Sequence, residues 1–200
     1  MLLTTYALFV TFISAPLVLG QVVYDSKHNV TSLRGTWGMN PYDHVLTGPT
    51  FFNPVNRTFT VPESYNNLDN WSWSYSFTDD GFWERCTYHS LVIMGENCTA
   101  SGATLYYQHG TYQLHSNGSI ALTPFAKDGT VETRVSPGCG YINETSSYDD
   151  PGFVESWSIT RDPTLGSVLR LVQPHLPAFR LPLVYNPPNM HPTRQLITQL

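Results

Sequence analysis

The chain has 200 residues and a formal net charge of −5, and 12% of its residues are charged whereas 14% are aromatic. This length fits one domain or at most two small ones, and the absence of a basic run excludes binding to a nucleic acid backbone. Fifteen prolines and fourteen glycines accompany the aromatic residues, so strands and turns are favoured over helices.

The amino-terminal 20 residues form an apolar and small-residue run that ends before Gln21. The run is short for a membrane span, and Val18 and Gly20 are small residues at its end. It therefore predicts a secretory signal peptide, with an uncleaved anchor as the alternative. Residues 21–200 are then expected to form a single lumenal domain without a further membrane span, ending in a proline-rich tail over residues 186–200 that runs across the surface.

Acceptor sequences for N-linked glycans are frequent after this run. Their number indicates a chain that enters the endoplasmic reticulum (ER) and is glycosylated there. The six asparagines are Asn29, Asn56, Asn70, Asn97, Asn117 and Asn143.

Four turns punctuate the rest of the chain with glycine at or near their ends: DDG at 79–81, SNG at 116–118, KDG at 127–129 and DPTLG at 162–166. In a three-residue hairpin loop with a left-handed glycine, the first turn pairs Phe77 with Trp83 and the second pairs Leu114 with Ile120. The third pairs Phe125 with Val131 by the same rule. This register places the apolar residues of each hairpin on one face.

These hairpins predict an all-β fold, an antiparallel meander of about 8–10 strands. Closing the meander into a barrel removes its exposed edges. The stretch Gly35-Thr36-Trp37 resembles the first-strand signature of lipocalin-like barrels, which favours a barrel over the alternative, a β-sandwich.

Alternation along the aromatic stretch assigns Trp73, Tyr75, Phe77 and Trp83 to the core. Phe82 falls on the opposite face, where it is a candidate contact for a partner protein if that face is exposed.

Three cysteines leave one pair and one single residue in an oxidising compartment. Cys98 and Cys139 lie in loop-like contexts, GENCTASG and SPGCGY, whereas Cys86 lies in a strand-like one. We therefore predict a Cys98–Cys139 disulfide and a buried, free Cys86. The cysteines and histidines lack the spacing of metal ligands, so neither a metal nor a cofactor is expected.

No catalytic constellation stands out in the sequence. Asp79, Asp80 and Glu84 could form a carboxylate pair, but the two aspartates suit a turn and Glu84 is expected to face outward beside Ser76. His109 is expected to be a hydrogen-bonded strand histidine. The sequence therefore predicts a protein without enzymatic activity.

Several stretches together resemble the fungal "reversal of TOR lethality" family of ER chaperones, and they occur in the family's order. They are GTW at 35–37, LTGPTFFNPV at 46–55, YSFTDDGFWE at 75–84, YYQHGTYQLHSNGSIALTP at 106–124 and LVYNPPNMHPT at 183–193. Cys98 and Cys139 match positions at which such proteins carry loop cysteines, which supports the predicted disulfide.

The resemblance implies a lumenal chaperone that suppresses aggregation and assists folding of secretory and membrane proteins. It also implies support for N-glycosylation, O-mannosylation and cell-wall β-1,6-glucan synthesis, with unfolded clients and the glycosylation machinery as partners. Members of the family are anchored by a carboxyl-terminal helix, which this sequence does not show. The alternative interpretation is a secreted, lipocalin-like binder of a small apolar ligand or glycan.

Overall fold

Thirteen β-strands and no α-helix make up the described part of the chain, which in the computed structural model is residues 32–39, 45–61, 63, 71–136 and 138–197. The predicted signal peptide, Asn29 and Asn70 lie outside these residues. Within them, no helix has the length and apolarity that crossing a bilayer requires. The strands are β1 (Gly35–Gly38), β2 (Phe52–Asn53), β3 (Thr58–Phe59), β4 (Trp71–Phe77), β5 (Phe82–Gly95), β6 (Cys98–Leu114), β7 (Ile120–Pro124), β8 (Thr130–Val135), β9 (Ile142–Ser147), β10 (Gly152–Val154), β11 (Ser156–Asp162), β12 (Gly166–Val172) and β13 (Phe179–Tyr185).

One antiparallel sheet contains eleven of these strands, and the all-β antiparallel prediction is confirmed. Its main path runs β10-β7-β6-β5-β4-β1-β13-β12-β11, with β8 paired to β6 and β9 paired to β8. A flat path of nine strands would be about 38 Å wide. Its two end strands, β10 and β11, are nevertheless separated in the chain by Glu155 alone. The sheet therefore curls until its ends approach each other, although the described strands include no ladder between β10 and β11.

Three of the four predicted turns are confirmed, two of them with the predicted register. Phe77 pairs with Trp83, and Leu114 pairs with Ile120. Gly81 and Gly118 adopt φ values of 90° and 85°, the left-handed conformation that the three-residue loops require. The DPTLG turn joins β11 to β12 as predicted.

The inner face of the curl is filled by aromatic and aliphatic side chains from nearly every strand of the path. Tyr75, Phe77 and Trp83 are fully buried, and Trp37 and Trp73 are almost so. The predicted core aromatics are therefore confirmed. Because aromatic rings occupy this face, a lipocalin-like ligand cavity in the middle of the core is not supported.

The outer face of β4, β5 and β6 is covered as well. Residues 45–61 place Leu46, Phe51, Phe52 and Phe59 against it, forming a second core. Consequently β4 has six consecutive buried residues instead of the alternating pattern of a one-sided sheet. The prediction that Glu84 faces solvent is wrong for this reason, since Glu84 is fully buried beneath the covering segment.

The predicted KDG hairpin is also wrong. Strands β7 and β8 do not pair with each other; both pair with the 17-residue strand β6, at Gly110–Leu114 and Gly102–Tyr107 respectively. The KDG turn at 127–129 connects β7 to β8, which pair with different parts of β6. It carries Asp128 into the interior, where its side chain is fully buried.

The carboxyl-terminal segment does not run over the surface as predicted. Residues 186–197 return across the outer face of the sheet, where His191 is 4% exposed. Asn189 hydrogen-bonds Thr36 and Thr47 through its backbone and side-chain amide, at 2.8 and 2.7 Å. The segment is held by polar contacts with buried groups, which a proline-rich sequence does not reveal.

Candidate functional site

The hairpin of β5 and β6 is the longest feature of the sheet, and its tip carries exposed apolar side chains. Met94 is 81% exposed and Val92 is 53% exposed, and both point to the same face of β5. Ile93, on the opposite face, is 37% exposed. Exposed apolar residues in such a group indicate a contact surface rather than chance exposure.

Tyr141, which precedes β9, is 69% exposed and extends this surface. It lies across a groove of about 590 Å³ whose other walls include Val92, Tyr88 and Ala103. We call Val92, Ile93, Met94 and Tyr141 the tip surface.

A disulfide ties the tip to the segment that carries Tyr141. The structure joins Cys98, the first residue of β6, to Cys139, with their Cα atoms 5.2 Å apart. The GENCTASG context is therefore a tight hairpin turn rather than the loop that its composition suggested. The disulfide closes a separation of 41 residues, which on chain-entropy grounds contributes about 4 kcal/mol. It holds the two parts of the tip surface in one arrangement.

Beneath the carboxyl-terminal segment lies a layer of buried charged groups. The carboxylate of Glu84 accepts hydrogen bonds from the backbone N–H of Gly48 at 2.6 Å and of His191 at 2.7 Å. The imidazole Nδ1 of His191 donates a third at 3.0 Å. Glu84 therefore joins the segment that covers the sheet to the tail that crosses it.

His191 acts as a donor at both ring nitrogens. Its Nε2 lies 3.1 Å from the carbonyl oxygen of Phe52, which can only accept. Burial alone would lower the pKa of His191, but the hydrogen bond and charge of Glu84, together with the Phe52 carbonyl, outweigh burial and raise it. The ring is therefore held as an imidazolium.

A second buried pair lies beside the first. His109 Nε2 donates to the carboxylate of Asp128 at 2.6 Å, and the backbone N–H groups of Leu196 and Ile197 each reach the same carboxylate at 2.7 Å. Burial lowers the pKa of His109 even though Asp128 opposes that shift. His109 is thus the hydrogen-bonded strand histidine that was predicted, and Asp128 holds the end of the tail.

The groups between the two pairs are unreactive. Burial and the neighbouring Glu84 raise the pKa of the Cys86 thiol well above its usual value, so this free cysteine stays protonated. Burial likewise raises the pKa of Tyr107, whose ring stacks on Phe52 at 4.0 Å between centroids. The carboxylates of Glu84 and Asp128 are each bonded to backbone N–H groups of the tail, and the layer is excluded from solvent, so it fastens the tail to the sheet.

The other predicted site residues are spread over the molecule. Asp79 and Asp80 are exposed in their turn, away from the buried Glu84, so the three do not form a cluster. Phe82 is half-buried at the start of β5, about 40 Å of strand away from Met94. The four glycan acceptors within the described residues, Asn56, Asn97, Asn117 and Asn143, are exposed.

Comparison with known proteins assigns the family. Residues 33–199 match the model of the Rot1 family, described as a chaperone for protein folding within the ER in fungi. Protein ROT1 of Meyerozyma guilliermondii is 34% identical over 173 residues, covering 84% of this chain and 68% of that protein. Protein rot1 of Schizosaccharomyces pombe is 36% identical over 170 residues, covering 81% and 67%.

Protein ROT1 of Saccharomyces cerevisiae is 34% identical over 190 residues, covering 90% of this chain and 70% of that protein. No solved structure matches the chain. The chain therefore belongs to the Rot1 family of fungal chaperones for protein folding within the ER.

Proposed function

We propose that the protein is a lumenal ER chaperone that holds unfolded secretory and membrane proteins on the tip surface. Family membership supports the chaperone activity. The observation that supports the location is the group of four exposed apolar side chains, three at the tip of the β5–β6 hairpin and Tyr141 on the segment that the disulfide ties to it. Met94 and Tyr141 are among the most exposed large apolar side chains of the described residues, and they lie together, whereas most apolar residues of the sheet pack into two cores.

The chemistry of the tip surface suits many clients rather than one. Met94 has an unbranched, polarisable side chain that adapts to different partners. Tyr141 and Val92 add apolar area beside a groove that an extended segment of a client can enter. Recognition at the tip surface therefore rests on apolar area, which unfolded chains expose and folded ones hide.

An aggregation assay tests this proposal. The purified protein is mixed at equimolar ratio with a thermally unfolding client enzyme, and light scattering is followed. We expect the wild type to suppress scattering and the double variant Met94→Ser/Tyr141→Ser to lose most of that suppression. Val55→Ser is the matched control, because Val55 is 93% exposed but lies outside the tip surface. Phe82→Ser tests the site that the sequence suggested.

Two outcomes overturn the proposal in different ways. If the wild type leaves scattering unchanged, the chain does not hold clients under these conditions and the activity is refuted. If the double variant suppresses scattering as well as Val55→Ser does, the activity stands but the tip surface is the wrong location. If Phe82→Ser loses as much suppression of scattering as we expect for the double variant, the client contact lies at the other end of β5.

We further propose that client holding is the route by which the protein supports N-glycosylation, O-mannosylation and β-1,6-glucan synthesis. Enzymes of these reactions are themselves clients in this scheme. Complementation of a strain that lacks the family member tests it. Met94→Ser/Tyr141→Ser should then lower the steady-state amounts of the enzymes along with the products, whereas a direct enzymatic role predicts lost product with unchanged enzyme levels.

Closure of the curled sheet into a barrel is part of the proposal for the fold. The single-residue link at Glu155 and the shared inner core support it. In this arrangement, Val154 from β10 and Trp157 from β11 belong to one core cluster. A crystal structure showing β10 and β11 in separate, facing sheets would favour the sandwich instead.

A further inference from the structure

A second groove, of about 670 Å³, opens at the end of the inner face and has a charged side chain on its floor. Arg85 of β5 lies there and is 8% exposed. The aromatic residues that line the groove are Trp71, Trp73, Tyr106, Tyr148 and Phe153. This groove is on the opposite side of the sheet from the tip surface, and nothing in the proposed chaperone activity uses it.

The charge of Arg85 is only loosely matched. Its Nη2 donates to Gln108 Oε1 at 3.1 Å, Tyr148 Oη at 2.8 Å and Asp150 Oδ2 at 3.3 Å. Asp150, the one carboxylate among them, makes a single long contact and its side chain is 56% exposed. A guanidinium can make two parallel hydrogen bonds to a carboxylate, and this pair does not use that geometry.

Arg85 nevertheless stays charged. Burial acts to lower its pKa, but Tyr75, Tyr148 and Asp150 outweigh burial and raise it above the ordinary value. Burial and the bond to Asp150 raise the pKa of Tyr148 to about 12, although Arg85 opposes this, so the phenol stays protonated and donates to Asp150 at 2.8 Å. The floor of the groove therefore carries a fixed positive charge.

The groove also has a buried donor without an acceptor. Trp73 lines the groove and is 8% exposed, yet its Nε1–H has no acceptor among the described residues. A buried donor without an acceptor costs about 1–3 kcal/mol. This donor beside the guanidinium of Arg85 indicates a place for acceptor oxygens brought by a ligand.

The rim of the groove is apolar. Trp71, Phe153 and Leu176 are 54%, 45% and 48% exposed, which is high for side chains of this size. Because Tyr75, Phe77 and Trp83 fill the inner face, the apolar part of a ligand must lie along this rim rather than within the core. The volume lies in the range of sites for small molecules, about 300–1,000 Å³.

We propose that this groove binds a small carboxylic acid with an apolar body, of the fatty-acid type, whose carboxylate meets Arg85 and the indole N–H of Trp73. The carboxylate supplies acceptor oxygens to the guanidinium of Arg85 and the indole N–H of Trp73, and the aliphatic body covers Trp71, Phe153 and Leu176. A primary amine of the same length meets a like charge at Arg85, and a neutral ester has no charge to offer it.

A binding titration with matched ligands tests the site on the wild-type protein. Oleate, methyl oleate and oleylamine are titrated against a fluorescent undecanoic acid bound to the protein. Oleate should displace the probe at least tenfold more tightly than the ester or the amine, because a charged hydrogen bond is worth roughly 1.5–3 kcal/mol, or ten- to a hundredfold. Equal displacement by acid and ester, or failure of the acid to displace, overturns the proposal.

Two variants locate the carboxylate. Arg85→Gln should reduce oleate affinity at least tenfold and leave methyl oleate unaffected, whereas Arg170→Gln, which removes an exposed arginine from β12, should change neither. Trp73→Phe keeps the wall and removes the N–H, so it should weaken oleate only. If Arg85→Gln does not fold, the Trp73→Phe titration and the acid–ester comparison decide the outcome, and full oleate affinity in Trp73→Phe counts against the assigned donor.

Discussion

His191 donates two hydrogen bonds to Glu84 across 107 residues of sequence, one from its backbone N–H and one from its imidazole. The pair joins the proline-rich tail to the strand that carries the core residue Trp83 on its other face. Both side chains are almost completely excluded from solvent. Folding of the sheet and docking of the tail are therefore expected to occur as one cooperative event.

Replacing Glu84 with Gln should destabilise the protein strongly. The variant leaves the His191 imidazolium buried without its counter-charge, and breaking one partner of a buried pair costs about 3 kcal/mol or more. Urea unfolding followed by tryptophan fluorescence measures the loss. Asp80→Asn is the control, because Asp80 is exposed in the 79–81 turn and should change stability by less than about 0.5 kcal/mol. Equal stability of both variants would contradict the buried-pair account.

The two buried histidines should give opposite pH dependences. Folding raises the pKa of His191, so its contribution is full below the unfolded value of about 6.5 and is lost as the pH rises through the folded pKa. Folding lowers the pKa of His109, so its contribution is present above about 6.5 and is lost as the pH falls from there toward the folded pKa.

The measurement is the stability difference between wild type and each glutamine variant across pH. The difference for His191→Gln should shrink toward alkaline pH, and that for His109→Gln should shrink toward acidic pH. Glu84 and Asp128 also act on His109, so each variant is compared with the wild type at the same pH. Parallel trends in the two variants would show that the protonation states assigned to the pairs are wrong.

Asp128→Asn should loosen the end of the tail. The carboxylate accepts from the N–H groups of Leu196 and Ile197 as well as from His109, and an amide has one acceptor oxygen for these three donors. Hydrogen exchange should show faster exchange at Leu196 and Ile197 in the variant than in the wild type. Lys127→Ala, which changes the exposed neighbour, should leave both amides as protected as before.

Gly110 in the YQHGTY stretch should not tolerate a side chain. A Cβ there would lie 2.0 Å from the carbonyl oxygen of Thr123 and 2.7 Å from the Cα of Pro124, both backbone atoms. We expect Gly110→Ala to cost about 2–3 kcal/mol. Gly38→Ala, whose added Cβ meets nothing closer than 3.5 Å, should have a small effect. Thermal unfolding of both variants separates steric conflict from the general effect of replacing a strand glycine.

Local turn chemistry made the hairpins predictable, because Gly81 and Gly118 fix the loop conformation and with it the pairing of Phe77 and Leu114. The same chemistry failed at residues 127–129. Strand β8 pairs with β6 instead of β7 because β6 is long enough to pair with both strands. The three residues of the KDG turn carry no information about the length of β6.

The buried polar layer was missed for a related reason. Strand alternation assigns Glu84 to the face opposite Trp83 but does not say whether that face meets water. The cover comes from residues 45–61 and from the tail around His191, both far away in sequence. The sequence of β4, WSWSYSF, alternates aromatic residues with serine, a pattern typical of a strand with one buried face, so it gave no sign that both faces are covered.

Site-specific photo-crosslinking at position 94 tests whether unfolded clients bind the tip surface. A photoreactive phenylalanine replaces Met94, and a second version carries it at Val55, which is more exposed but outside the tip surface. Each is irradiated with an unfolded client and with the same client in its folded state. We expect position 94 to form adducts with the unfolded client and not with the folded one. Position 55 should form few adducts with either. Equal yields from both positions, or adducts with folded and unfolded client alike, would contradict binding of unfolded clients at the tip surface.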